Sequence, residues 1–295
     1  MNRKKYRLTP LTMLTAATVA WSTPTFANET VSTTSTDYFN GADAIEIYVP
    51  PPENNTSGMC SAFLVPALNS IIGNSPNNWG ILVESLSDGQ VLYSHNADKY
   101  FIPASNTKLF TTAAALQKLN PQGTIRSQSV GQWITVTNQN SDNNYANVLL
   151  RYIGGAQAAK AALSQLGVNP NSYRLADGSG LSRSNAATPR ALVSTLKAMY
   201  FAQGQGREIF MASLPVAGMS GTLKNRMRYT SAQGIVHAKT GTLTGVRALS
   251  GYMDHPRYGT IVFSIIGNNP RRSGDSLVKT IDDVVLQLSL LTPCQ

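Results

Sequence analysis

Residues 101–119 read FIPASNTKLFTTAAALQKL. Leu109, Phe110, Ala113, Ala114 and Leu116 recur at helical spacing, and Pro103 stands just upstream of Ser105, where proline often precedes a helix. The spacing predicts a largely apolar helix over 105–119. A lysine inside such a helix needs a reason, and Lys108 comes one turn after Ser105. Positions three apart on a helix share a face, with Cβ atoms ~5–6 Å apart. An amine kept neutral by burial or by neighbouring positive charge can take a serine proton. A helix N-terminus beside Ser105 also favours developing negative charge. Ser-x-x-Lys alone says little, because Ser194–Lys197 and Ser276–Lys279 repeat it in settings that read as solvated helix surface.

Two further runs give the first one meaning. Ser141-Asp142-Asn143 precedes a helix expected from Asn144 to Ile153. In an extended loop, residues two apart point the same way. Ser141 and Asn143 can then face one cleft, with a hydroxyl to pass a proton and an amide to hold a peptide. The same polar run also reads as a helix N-cap, and Ser75–Asn77 and Ser94–Asn96 match Ser-x-Asn too. Lys239-Thr240-Gly241 lies on an expected strand and is the one Lys-[Ser/Thr]-Gly of the chain. Lys239 offers positive charge to a carboxylate, Thr240 and Thr242 offer hydroxyls, and glycine in a strand signals close approach of another backbone. An ordinary exposed edge strand carrying a lysine is the plainer reading of that run alone.

The order of the three runs is the signature of penicillin-recognising serine enzymes: helix, then loop, then strand. Their flanks narrow it. FIPASNTKL (101–109), SDNNYAN (141–147), DGSGLS (177–182), GTLKNRM (221–227) and HAKTGTL (237–243) resemble the class C low-molecular-mass penicillin-binding proteins. These are D-alanyl-D-alanine carboxypeptidase/endopeptidases of the penicillin-binding protein 4 type. The resemblance runs from about Trp79 to Asn269. It implies the serine transpeptidase/β-lactamase-like fold and β-lactam inhibition. It also implies Ser105 as nucleophile, Lys108 as its base, Ser141 as proton relay and Asn143 as a peptide holder. Lys239, Thr240, Gly241 and Thr242 would bind the substrate's terminal carboxylate, with the N–H groups of Ser105 and Thr242 as oxyanion hole. Two features depart from the family. Ser105 and Ser141 lie only 36 positions apart, so the usual inserted domains are missing at a junction near Pro121–Gln128, and peptide specificity is left open. Asn147 stands where an acidic residue is expected.

Rival functions leave weaker traces. A β-lactamase shares nucleophile and fold but must deacylate fast, and the best-known kind uses a glutamate to activate water. After Ser105 the sole glutamate is Glu208, and Glu208-Ile209-Phe210-Met211-Ala212 lacks the Glu-x-x-Leu-Asn context. A non-catalytic wall-binding module fits the missing inserts but not the full set of catalytic side chains. Gly-x-Ser-x-Gly is absent, which argues against a Ser-His-Asp hydrolase.

Working outward, the chain has strand character at both ends. Gly80–Val83 and Gln90–Tyr93 flank the turn Ser87-Asp88-Gly89, and Ile235–Thr242, Val246–Met253 and Thr260–Ile266 follow late. Between them lie helices, including 156–166 and one opened by Thr188-Pro189 and running to about Tyr200. A first helix is expected with Phe63, Leu64, Leu68 and Ile71 on one face, and a last one over Ser276–Leu290. The simplest packing is an α/β (α+β) domain: one antiparallel sheet built from both ends, the first and last helices on one face, and a helical region inserted. The expected single catalytic domain is 59–295, with its sheet region about 59–120 and 234–295 and its helical region about 127–233.

The N-terminus reads as an export signal over 1–27: basic Arg3, Lys4, Lys5 and Arg7, an apolar stretch from Leu8 to Trp21, then Thr25-Phe26-Ala27 as cleavage site. That stretch is short of the ~20 apolar residues of a span, so no stable transmembrane anchor is expected. Export predicts the periplasm or cell envelope. Residues 28–58, rich in Ser, Thr, Asn and Pro, read as a flexible linker with one short strand at Ala44–Val49. Losing the signal lowers the formal charge from +9 to +5, and no nucleic-acid motif is present. Hydrophobic content of 42% supports a buried core. Cys60 and Cys294, at the two ends of the folded part, are disulfide candidates in an exported protein. Two cysteines and the scattered His95, His237 and His255 do not make a metal site, and no cofactor is expected.

Overall fold

The computed structural model describes residues 59–294. The predicted signal, the linker and the strand at 44–49 lie outside the described residues. From the start, β1 (Met59–Cys60) leads through a 3-10 turn into α1 (Leu64–Ile72), then β2 (Trp79–Ser85), β3 (Val91–His95) and α2 (Thr107–Lys118). A short hairpin, β4 (Thr124–Ile125) and β5 (Gln128–Ser129), precedes α3 (Val130–Gln139), α4 (Asn143–Tyr152) and α5 (Gly155–Gln165). Next come β6 (Tyr173–Arg174), β7 (Ala186–Ala187), α6 (Pro189–Phe201) and α7 (Gln205–Ala212). The chain closes with β8 (Val236–Leu243), β9 (Val246–His255), β10 (Gly259–Asn268), α8 (Gly274–Ser289) and β11 (Leu291–Thr292).

One five-stranded antiparallel sheet, in the order β3-β2-β10-β9-β8, joins the early and late parts of the described residues. Every residue of β2 is buried, because helices cover both faces of the sheet. Alternation along each strand sorts the side chains between two cores. On one face Ile81, Val83, Leu249, Phe263 and Ile265 meet Leu64, Leu68 and Ile72 of α1 and Leu277, Ile281, Val284 and Leu288 of α8. On the other, Leu82, Ala248, Tyr252, Val262 and Ile266 join Leu109, Phe110 and Ala113 of α2 and the middle helices. Full burial of each Leu, Ile, Val or Phe among them stabilises the fold by ~1.5–3 kcal/mol. Helix α2 is thus enclosed by sheet and helices, which is why its apolar positions run all round.

Several expectations shift by a residue or more. Phe63 is 64% exposed and Ile71 only partly buried. Because α1 starts at Leu64, its inward row is Leu64, Leu68 and Ile72. Ser105 lies in a 3-10 turn, Ala104–Asn106, and the α-helix begins at Thr107. Asn143 is already helical, with Asp142 as N-cap accepting from the Tyr145 N–H at 2.9 Å. The N-cap reading of that run therefore holds. Helix α3 carries a capping box of Ser129 and Gln132, a pattern visible in the sequence and not read there.

Candidate active site

The turn bearing Ser105 is held tightly between two neighbours. Ala104 has a positive φ of 49°, rare for a residue with a Cβ. Gly180 lies behind it: a Cβ there would fall 1.9 Å from the Ala104 carbonyl oxygen. On the other side is β8, where a Cβ on Gly241 would fall 2.7 Å from the Pro103 carbonyl oxygen. The backbone that approaches Gly241 closely is that of the Ser105 turn.

Lys108 is fully buried one turn on. Its Nζ donates to Ser105 Oγ at 3.0 Å, to Asn143 Oδ1 at 2.8 Å and to the Ser179 carbonyl at 2.7 Å. Burial brings its pKa from 10.5 down to about 8, while the carboxylates of Asp177 and Asp142 pull the other way. A neutral amine is then within reach at mildly alkaline pH, in hydrogen-bond contact with a hydroxyl. Lys239 is also fully buried, and its Nζ donates to the Thr240 carbonyl at 3.2 Å. Burial pushes its pKa well below the usual lysine value, and repulsion from Lys108 adds to that. Thr240 Oγ1 shares a 2.7 Å hydrogen bond with Thr222 Oγ1 of the 221–227 run. Thr242, next on the strand, is exposed. Ser141, with φ of 57°, is half-buried two residues before Asn143, and none of the hydrogen bonds of Lys108 goes to it. The fold thus joins Ser105, Lys108 and Asn143 by direct bonds. It sets Gly241 against the Ser105 turn and leaves Ser141 two residues before Asn143 in the chain.

The sequence reading did not assign a role to the 177–182 loop, although it holds Lys108. Asp177 accepts from the N–H groups of Ser179, Gly180 and Ser182 at 2.9, 2.6 and 2.7 Å, and from the side chains of Ser179 and Asn185. Burial alone would raise the Asp177 carboxyl; these bonds outweigh it and hold the pKa below the usual value. The loop so wound aims the Ser179 carbonyl at Lys108. Asn147, in place of the expected acid, accepts from the Gly178 N–H at 3.0 Å and fastens the same loop to α4. Asp before Gly-Ser-Gly is a turn signal that could have been read. Among the described residues no cluster of three or more His, Cys, Asp or Glu could hold a metal ion.

A family model described as the D-Ala-D-Ala carboxypeptidase 3 (S13) family matches residues 65–131 and 123–289. The chain belongs to this family. The two matched segments of the S13 model meet at 123–131, beside the junction expected near Pro121–Gln128. This S13 chain is 40% identical over 165 residues to the D-alanyl-D-alanine carboxypeptidase of Actinomadura sp. strain R39, covering 50% of this chain and 30% of that protein. It is 34% identical over 182 residues to the penicillin-sensitive carboxypeptidase A of Dictyostelium discoideum, covering 56% and 35%. It spans about a third of the length of the curated relatives it matches. Among solved structures it is similar to penicillin-binding protein 4 (dacB) of Haemophilus influenzae, with TM-score 0.65, 15% identity, and 72% and 96% of the two chains covered. It is similar also to the TLA-3 extended-spectrum β-lactamase, with TM-score 0.66, 17% identity, and 78% and 98% covered. The S13 chain therefore has the penicillin-recognising serine hydrolase fold.

Proposed function

We propose that this S13 chain is a serine-type D-Ala-D-Ala carboxypeptidase/endopeptidase that works through an acyl-enzyme on peptidoglycan stem peptides and is inhibited by β-lactams. The observation that carries the reading is the 3.0 Å contact between Ser105 Oγ and a fully buried Lys108 whose pKa has fallen to about 8. Ser105 Oγ attacks the carbonyl carbon of the penultimate D-alanine and gives its proton to neutral Lys108. The tetrahedral oxyanion is held by the N–H groups of Ser105 and Thr242. Ser141 passes a proton to the leaving amine, the C–N bond breaks, and the terminal D-alanine departs. Water then hydrolyses the ester and restores Ser105. Asn143, whose Oδ1 is taken by Lys108, has its NH2 left for the peptide. Burial disfavours the charged form of Lys239, and a substrate carboxylate beside it would favour that form again. Thr240 and Thr242 complete that carboxylate site. A β-lactam acylates the same serine, and its ring-opened ester persists if deacylation is slow.

Export to the periplasm or cell envelope, with cleavage near Ala27, belongs to this reading. It is supported by the basic and apolar N-terminal pattern and by the Cys60–Cys294 bridge. The catalytic domain is taken as 59–295, with its sheet and helical regions as the sequence divides them.

The test is incubation of the mature protein with a fluorescent penicillin, read by intact mass beside Ser105→Ala. A stable one-to-one adduct that vanishes in the variant supports the mechanism. No adduct on folded wild type sinks it, and turnover of many equivalents of drug moves the reading to a β-lactamase.

A further inference from the structure

The Ser105 turn reaches the sheet by one side-chain hydrogen bond. Asn106, next to the nucleophile, donates from Nδ2 to Ser250 Oγ at 2.7 Å. Ser250 Oγ donates in turn to Ser264 Oγ at 2.9 Å. Strand register places Ser250 opposite Lys239 on β8 and opposite Ser264 on β10. Lys239, Ser250 and Ser264 therefore form a polar row across three strands, on the sheet face that meets α2. All three, and Asn106, are fully buried. The same face continues as Leu82, Ala248, Tyr252, Val262 and Ile266, so apolar side chains would fill these places without desolvation cost.

Stability alone does not account for the row. Asn106 Oδ1 is buried with no partner in the structure, a state that normally costs free energy. An apolar pair of similar shape at 106 and 250 would be nearly neutral or better. What the polar bond adds is direction. It fixes the residue after Ser105 to the strand residue beside Lys239.

We propose that Asn106 is a positioning residue for acylation: through Ser250 it locks the Ser105 turn to the strand row that holds Lys239. Nucleophile and carboxylate-binding cation then keep one separation while substrate binds. This rests on the roles given above to Ser105 and Lys239. Misplacement by about 1 Å can cost roughly 100-fold in rate, so a single tether can matter.

Penicillin acylation of the full mature chain tests it, with the rate constant separated from the dissociation constant of the initial complex. Asn106→Ala and Ser250→Ala each lower the rate constant by ~10–100-fold and leave the dissociation constant within ~2-fold. The double variant is no slower than the slower single one, because the two side chains make one bond. Ser250→Thr keeps the hydroxyl and recovers most of the rate. Rate constants within ~2-fold of wild type, or losses that multiply in the double variant, overturn the proposal. If Asn106→Ala does not fold, the Ser250→Ala and Ser250→Thr pair decides by the same criteria. Acylated wild type with unaffected variants removes the tether alone. Folded wild type that takes no penicillin removes the Ser105 reading and the tether with it.

Discussion

At neutral pH an amine with a pKa of about 8 is mostly protonated, and a protonated Lys108 cannot accept the Ser105 proton. The neutral fraction falls about tenfold for each pH unit below 8. Acylation of Ser105 by penicillin is thus expected to rise about tenfold per unit toward pH 8 and to level above it, as a rate-against-pH curve will show. Lys108→Ala should lower the plateau by at least ~100-fold. Folding pays for this amine: a drop from 10.5 to about 8 corresponds to about 3 kcal/mol. The unfolded chain binds the extra proton between those values, so this contribution makes stability rise with pH across that window and is a full penalty below it. Gly180 is the second sensitive residue. Its φ is +86° and a Cβ would enter the Ala104 carbonyl. Gly180→Ala should cost roughly 2–4 kcal/mol in urea unfolding and slow acylation in the protein that still folds, because the displaced atoms adjoin Ser105.

Among the elements, the 177–182 loop holds Lys108 together with Asn143 of α4. Its fold depends on one carboxylate that accepts from three backbone N–H groups. Asp177→Ala is expected to lower stability by about 2–4 kcal/mol at pH 7, measured by denaturant unfolding, and to weaken acylation as the Ser179 carbonyl drifts from Lys108. Since the folded pKa of Asp177 lies below its ordinary 3.8, its contribution is complete above that value and is lost as pH falls through the folded one. The wild-type and Asp177→Ala curves should therefore converge in strong acid. Elements with a period were legible: β2, β8, β9, β10, α2, α6 and α8 fall within a few residues of expectation. The two-residue strands β4 to β7 were not, because two residues carry no period. On α1, Leu64 and Leu68 face inward as expected, while Phe63 does not, because it ends a 3-10 turn and the α-helix starts after it. The loop role of Asp177 was illegible because the lysine it serves is 69 positions away.

At the scale of the folded domain, the sheet holds the early and late parts of the described residues together and the bridge Cys60–Cys294 closes them across 234 positions. It sits at the short parallel pair β1–β11, joined to α1 and α8, the helices on the sheet face away from α2. Chain entropy puts its contribution at up to about 5 kcal/mol, and 2–5 kcal/mol is usual on removal. Replacing both cysteines with serine should lower Tm by roughly 5–15 °C and leave penicillin acylation unchanged, as calorimetry beside the adduct assay will check. The sequence by itself determined the strand-helix-strand order and the pairing of Ser105 with Lys108. Both are local: helical and strand periods, and a spacing of three, act within a few residues. Only the tertiary structure decided how far Lys108 is buried, that Ser179 and Asn143 hold it, and that Asn106 meets Ser250. Burial and hydrogen bonding between distant segments depend on which surfaces close over which. That is set when the two halves of the sheet join and α2 is enclosed between them.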